Sequence, residues 1–182
     1  MKIKHLSTLL VTGAISLGAA PAFADSPEAP QLSFACQVTD GVPITVAQST
    51  NGETKTVFNW KEEPLAHKTT SSPKELCDNV TAKLNDYATD YDFSNVKFVG
   101  TEQFGLPTIC ATTTTENCSK VLFTLKPQTQ PALEADSVVT ALLSPELQGK
   151  KKEGFNDRGV QTTSYEVNFW DLFNFGPKGI FK

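Results

Sequence analysis

The stretch SPKELCDNVTAKLNDY, residues 72–87, decides the fold class. Ser72 can cap a helix, Pro73 suits its first position, and Glu75 completes a capping box. Leu76, Val80, Leu84 and Tyr87 then recur at helical spacing, with Lys83 beside Leu84. Cys77 lies close to that stripe, so its sulfur is expected to face the core. The helix should fade near Asp90–Asp92.

The flanks read differently. On the N-terminal side, Leu32, Phe34, Cys36 and Val38 alternate along one strand. Pro43–Ala47 and Thr54–Trp60 read as two more, joined through Asn51-Gly52, a strong hairpin signal. In the third, Thr56, Phe58 and Trp60 alternate with Val57 and Asn59, residues that suit a pleated, half-buried surface. On the C-terminal side, Val96–Val99, Leu106–Ala111 and Lys120–Leu125 read as three antiparallel strands on short connections. Pro131–Leu143 reads as a second helix with Leu133, Val138, Ala141 and Leu142 as its inner stripe. Gly149–Gly154 reads as a solvated basic loop, and Val160–Asn168 as a last strand. The expected fold is therefore α+β. An antiparallel sheet of five to seven strands carries two packed helices, near 72–90 and 131–143.

The chain has 182 residues, enough for one domain or two small ones. It carries 16 Lys+Arg against 20 Asp+Glu, a formal charge of −4, which argues against a binder of nucleic-acid phosphates. Hydrophobic residues make up 39% and charged residues 20%, which fits neither a disordered acidic chain nor a membrane bundle. Two His and a single Met, the initiator, leave little metal or haem ligation chemistry.

The N-terminus has a secretory layout. Lys2 and Lys4 precede an uncharged, mostly apolar run from Leu6 to Ala20, and Ala22-Phe23-Ala24 is an A-x-A cleavage pattern. Residues 1–24 are expected to be a signal peptide, the alternative being an uncleaved anchor. The apolar run is short for a bilayer span, which needs roughly 20 residues. No Cys sits at the cleavage point, so lipidation there is not expected. Loss of Lys2 and Lys4, with no acid, takes the formal charge from −4 to −6. Residues 25–31 read as a flexible leader.

All four Cys, namely Cys36, Cys77, Cys110 and Cys118, follow the cleavage pattern. An even count in an exported chain suggests two disulfides, with three connectivities open. Cys110 and Cys118 flank a polar turn and can close across it. That pairing is favoured, and it leaves Cys36 with Cys77. A metal site built from all four cysteines is the weaker reading, because no CxxC pair occurs.

No catalytic, cofactor or metal residues are assigned. Adjacent Glu62-Glu63 define no acid–base pair, and Asp86, Asp90 and Asp92 lack the calcium-loop pattern. No G-x-S-x-G or Gly-rich phosphate loop is present. His67 is the one histidine after the leader, so a hydrolase would have to use it with a nearby acid and hydroxyl. Two features carry an interaction signal. Lys150, Lys151 and Lys152 could meet anionic lipid, although a solvated loop is the plainer reading. The C-terminal tail gathers Phe169, Trp170, Phe173, Phe175 and Phe181, and whatever part stays unburied would be a membrane or partner contact.

These residues resemble a known family. Phe34-Ala-Cys36, Trp60, Pro73-Lys-Glu-Leu-Cys77, Gly105-Leu-Pro-Thr-Ile-Cys110 and Cys118-Ser-Lys-Val-Leu-Phe-Thr-Leu-Lys126 follow the order seen in the circadian oscillating polypeptide family of cyanobacteria, the twenty-three-kilodalton type. The resemblance covers about residues 32–145 and leaves 146–182 as a basic loop, last strand and aromatic tail. It implies an exported, cystine-bearing cyanobacterial domain and carries over no catalytic residues. One departure is Leu76, where the family often has Arg. The expected role is that of a non-enzymatic binding protein of the periplasm or thylakoid lumen. Its expected partner is a membrane surface or an envelope protein complex, and not nucleic acid. The alternatives are a small secreted hydrolase built on His67, and a ligand carrier with a sizeable apolar cavity.

Overall fold

A computed structural model describes residues 31–114, 118–155 and 161–174. The expected signal peptide (1–24) and most of the leader lie outside the described residues, as do Phe175 and Phe181.

The helix at the centre of the sequence forms as its residues dictate. α1 spans Pro73–Asp90, and both halves of the capping box are made. The Glu75 N–H donates to Ser72 Oγ at 3.3 Å, and the Ser72 N–H donates to Glu75 Oε2 at 2.8 Å. Leu76, Cys77, Val80, Thr81, Leu84 and Tyr87 form its buried face.

Three strands precede α1: β1 (Leu32–Thr39), β2 (Val42–Ser49) and β3 (Thr54–Asn59). They make a three-stranded antiparallel sheet in that order. After α1 come β4 (Val96–Gln103), β5 (Leu106–Thr112) and β6 (Lys120–Thr124), then helix α2 (Pro131–Leu142). β7 (Lys151–Phe155), β8 (Gln161–Val167) and a single helical turn, α3 (Phe169–Leu172), close the described chain. The second sheet has five antiparallel strands in the order β6-β5-β4-β8-β7. The α+β class therefore holds, with the strands divided between two sheets. The division follows from α1, which interrupts the run of hairpins and packs on β1, β2 and β6.

α1 also finishes the edge of the first sheet. Asn85 Oδ1 accepts from the Phe34 N–H at 2.7 Å, and its amide donates to the Phe34 carbonyl at 2.8 Å. One side chain thus imitates a strand partner on the outer edge of β1, where unpaired backbone groups would otherwise invite another chain. Lys83 spends its ammonium on the Leu122 carbonyl of β6, at 2.6 Å.

Two aromatic groups fill the interior. Phe58 packs edge-on against Phe98 with centroids 5.0 Å apart, and Trp60 against Phe123 at 5.5 Å, so these pairs join the two sheets. Phe34, Phe93 and Phe169 make a second group, with Tyr87 against Phe93. The space between sheets and helices that a ligand carrier would keep open is occupied by these rings.

Three expectations are corrected. On α2 the buried stripe is Ala135, Val138, Val139 and Leu142, while Leu133 and Ala141 face solvent. The sheet selects that face because α2 lies over Gly100, which admits only the small Ala135. Residues 149–154 do not form a free loop. A 3-10 turn over Pro145–Lys150 leads straight into β7, and the lysine run becomes an edge strand. Lysine on an edge discourages further pairing. Finally, Val38 shares the periodicity of β1 but is 58% exposed, because it lies next to the hairpin turn.

Candidate functional site

The β4–β5 turn departs most from ordinary surface chemistry. Gln103 pairs with Leu106, leaving a loop of only Phe104 and Gly105. Both have positive φ, 52° and 78°. Such loops suit Asn-Gly or Asp-Gly, whose residues tolerate the left-handed region. The β1–β2 turn obeys that rule, with Asp40-Gly41 at 52° and 79°. In the β4–β5 turn a phenylalanine stands in the aspartate's place.

Left-handed backbone costs an L-residue with a Cβ roughly 1–2 kcal/mol. The other non-glycine residues with positive φ are Asp40, His67 and Asn174, types enriched there. Phe104 is thus the one bulky residue so placed among the described residues. It is also 95% exposed, against a few per cent or less for the core phenylalanines. Two penalties, strain and water-exposed apolar surface, fall on one side chain. The turn is not loose: the Gly105 N–H donates to Glu102 Oε1 at 3.1 Å, which places a carboxylate at the base of the ring's mount.

Two open clefts lie elsewhere. One, of 480 Å³, is lined by Leu147, Val167 and Leu172 together with the carboxylates of Glu146, Glu166 and Asp171. The other, of 420 Å³, follows β3 past Thr54 and Thr56 to Ser144 and Glu146, and is mostly polar. No grouping of three or more His, Cys, Asp or Glu that could hold a metal occurs among the described residues.

The structure scatters most of the residues singled out in sequence. His67 is exposed in the loop after a short 3-10 turn at Glu63–Leu65, and no hydrogen bond or ion pair joins it to a carboxylate or hydroxyl among the described residues. Cys36 bonds Cys77, tying β1 to α1, and Cys110 bonds Cys118, closing the β5–β6 turn. Both sulfur pairs are structural cross-links, and no free cysteine remains. Lys151 is exposed and pairs with Glu153 at 3.1 Å. Its pKa is raised, first by that hydrogen bond and then by the charge of Asp136.

In the tail, Phe169 and Phe173 are core, 0% and 2% exposed, so these two positions present no contact surface. They stand four residues apart and fall on the buried side of the α3 turn. Trp170 is half-buried, and its indole N–H donates to Asp92 Oδ1 at 2.7 Å. Burial raises the Asp92 pKa, but hydrogen bonds from the Ser94 N–H, the Trp170 indole and the Ser94 hydroxyl outweigh it and lower the value overall. Lys83 titrates below its usual range, through burial first and repulsion from Lys120 second. Its ammonium is committed to a backbone carbonyl, which makes it a structural cation and not a nucleophile.

The family model of the circadian oscillating protein COP23 matches residues 33–174, well over half of the chain. The chain belongs to that family. No curated protein and no solved structure matches it at a significant level. The COP23 match reaches past α2 to the end of the described chain, which agrees with β8 pairing directly with β4 in the second sheet.

Sequence reasoning passed over Phe104. The signal was available: Gly105 sits between two strand patterns with one residue before it, so that residue had to adopt positive φ. A phenylalanine there breaks the turn rule, and the breach was the clue.

Proposed function

We propose that this COP23 family member is an exported binding protein of the cell envelope or thylakoid lumen, acting by docking on another component and not by catalysis. The observation that carries the reading is Phe104, a strained and fully presented aromatic on a rigid hairpin. Apolar surface of this kind, held out by the fold, is what contact sites expose. Export is supported by the N-terminal layout and by the two disulfides, which persist in oxidising compartments.

The test is the native size of the protein in freshly prepared envelope and lumen extracts, by sedimentation under mild conditions. A species larger than the free chain, dissociating at high dilution, is expected. A free monomer at native concentration in every fraction overturns the reading.

A further inference from the structure

We infer that the β4–β5 hairpin tip is a plug for a partner protein: the Phe104 ring enters an apolar pocket whose rim carries cationic or N–H donor groups facing Glu102. This rests on the binding reading above and adds the surface and the kind of partner.

The first support is the backbone. An Asn at position 104 would fit the turn without strain, as Asp40 does in the sister hairpin. Strain at a presented side chain points to use of that side chain. The second is mounting. Phe104 stands on a two-residue loop between paired strands, with Gly105 anchored to Glu102. A ring held this way loses little freedom on docking, which favours a single buried aromatic anchor.

Charge and position separate a protein pocket from the other surfaces that take a phenyl ring. A lipid surface is the first rival. One myristoyl chain gives only marginal membrane binding, with an association constant on the order of 10⁴ M⁻¹, and stable attachment needs a second signal. A phenyl ring offers less apolar surface than that chain. The second signal is not beside it. Lys151 is level with Tyr165 and Phe98, five residues back from Gln103, or about 17 Å along the sheet. The charge next to the ring is the carboxylate of Glu102, and the chain after residue 24 carries −6, so anionic lipid is repelled. A second copy of this chain is the other rival. The apolar cleft by Leu147 and Leu172 also presents Glu146, Glu166 and Asp171, which are of the same sign as Glu102.

The experiment places a photo-crosslinking phenylalanine analogue at position 104 of the full chain, expressed and exported in its own host. The same analogue at exposed Val38 serves as control. The expected result is one discrete protein adduct from position 104 and none from 38. The adducted partner, purified, should bind the unmodified protein. Binding should fall at least tenfold for Phe104→Asn and for Glu102→Lys, while Phe104→Asn raises the denaturation midpoint. Vesicles of anionic and of neutral phospholipid should retain none of the protein. A lipid adduct with vesicle binding overturns the protein-pocket assignment and leaves the binding reading standing. So does a native complex that persists in Phe104→Asn. A crosslink between two copies of this chain also overturns it. If no complex exists in any extract, both readings fall together.

Discussion

Gly100 of β4 lies so close beneath Ala135 of α2 that a Cβ at position 100 would sit 2.7 Å from the Ala135 carbonyl carbon. The neighbour is helix backbone, which cannot swing aside. Gly100 is therefore a contact requirement of the α2–sheet interface. Gly100→Ala should lower stability by about 1–3 kcal/mol, the usual range for overpacking. Urea denaturation would check it. Gly149 supplies the control, since a Cβ there meets nothing within 4 Å. Gly149→Ala should leave the midpoint nearly unchanged.

A buried polar chain makes a second prediction. The Trp60 indole N–H donates to Thr45 Oγ1 at 2.9 Å, and that hydroxyl lies 3.4 Å from Thr81 Oγ1. Trp60 and Thr45 are almost wholly buried. Thr45→Val keeps the shape and removes the acceptor, leaving the indole unsatisfied at a cost of about 1–3 kcal/mol. Thr45→Ser keeps the acceptor and loses one methyl, about 1 kcal/mol. If valine proves no worse than serine in chemical denaturation, the hydrogen bond does not matter to stability.

These two contacts show what the sequence could and could not reveal. Ser72, Pro73 and Glu75 specify the start of α1 within four residues, so that helix was readable. The pairing of Cys110 with Cys118 was readable too, because a short turn brings them together. Gly100 reads as an ordinary strand residue until α2 is laid over it. Leu133 and Ala141 fit a helical stripe as well as Ala135 and Val139 do, and only the sheet chooses between them. Lys150–Lys152 look like a solvated loop because an edge strand needs no apolar face. The binding feature was legible in one respect only, the misfit of Phe104 with its turn. The tail phenylalanines looked like a contact surface because periodicity over so few residues does not say what lies beneath.

The disulfides should contribute unequally. Cys36 and Cys77 close a separation of 41 residues, Cys110 and Cys118 one of 8. Loop-closure entropy then assigns about 4 kcal/mol to the first and about 2.5 kcal/mol to the second. Cys36→Ala with Cys77→Ala should therefore lower the melting temperature more than Cys110→Ala with Cys118→Ala. The reverse order in calorimetry would mean that the β5–β6 turn depends on its bond for more than chain entropy. The hydroxyls of Thr112, Thr114 and Ser119 already brace that turn, with Thr112 and Ser119 at 2.8 Å. That bracing further reduces the expected loss.

The clasp between Trp170 and Asp92 should be sensitive to acid. It joins α3 to the short 3-10 turn at Phe93–Asn95, 78 residues earlier in the chain. Because the folded-state pKa of Asp92 lies below its ordinary value of 3.8, the carboxylate stabilises the fold above that value. The contribution is lost as pH falls through the lower, folded value. Asp92 is largely solvated, so the stability effect is small, and the indole is the better reporter. Asp92→Asn keeps a neutral acceptor and removes the charge. Above about pH 5 the wild type should be the more stable, and its Trp170 emission should differ from that of the variant. Well below pH 3.8 the two should converge in both respects. Titrations of the other carboxylates, common to both proteins, cancel in the difference, as does the emission of buried Trp60. A difference spectrum that stays constant from about pH 7 to about pH 2.5 would show that the Asp92 charge does not hold the indole.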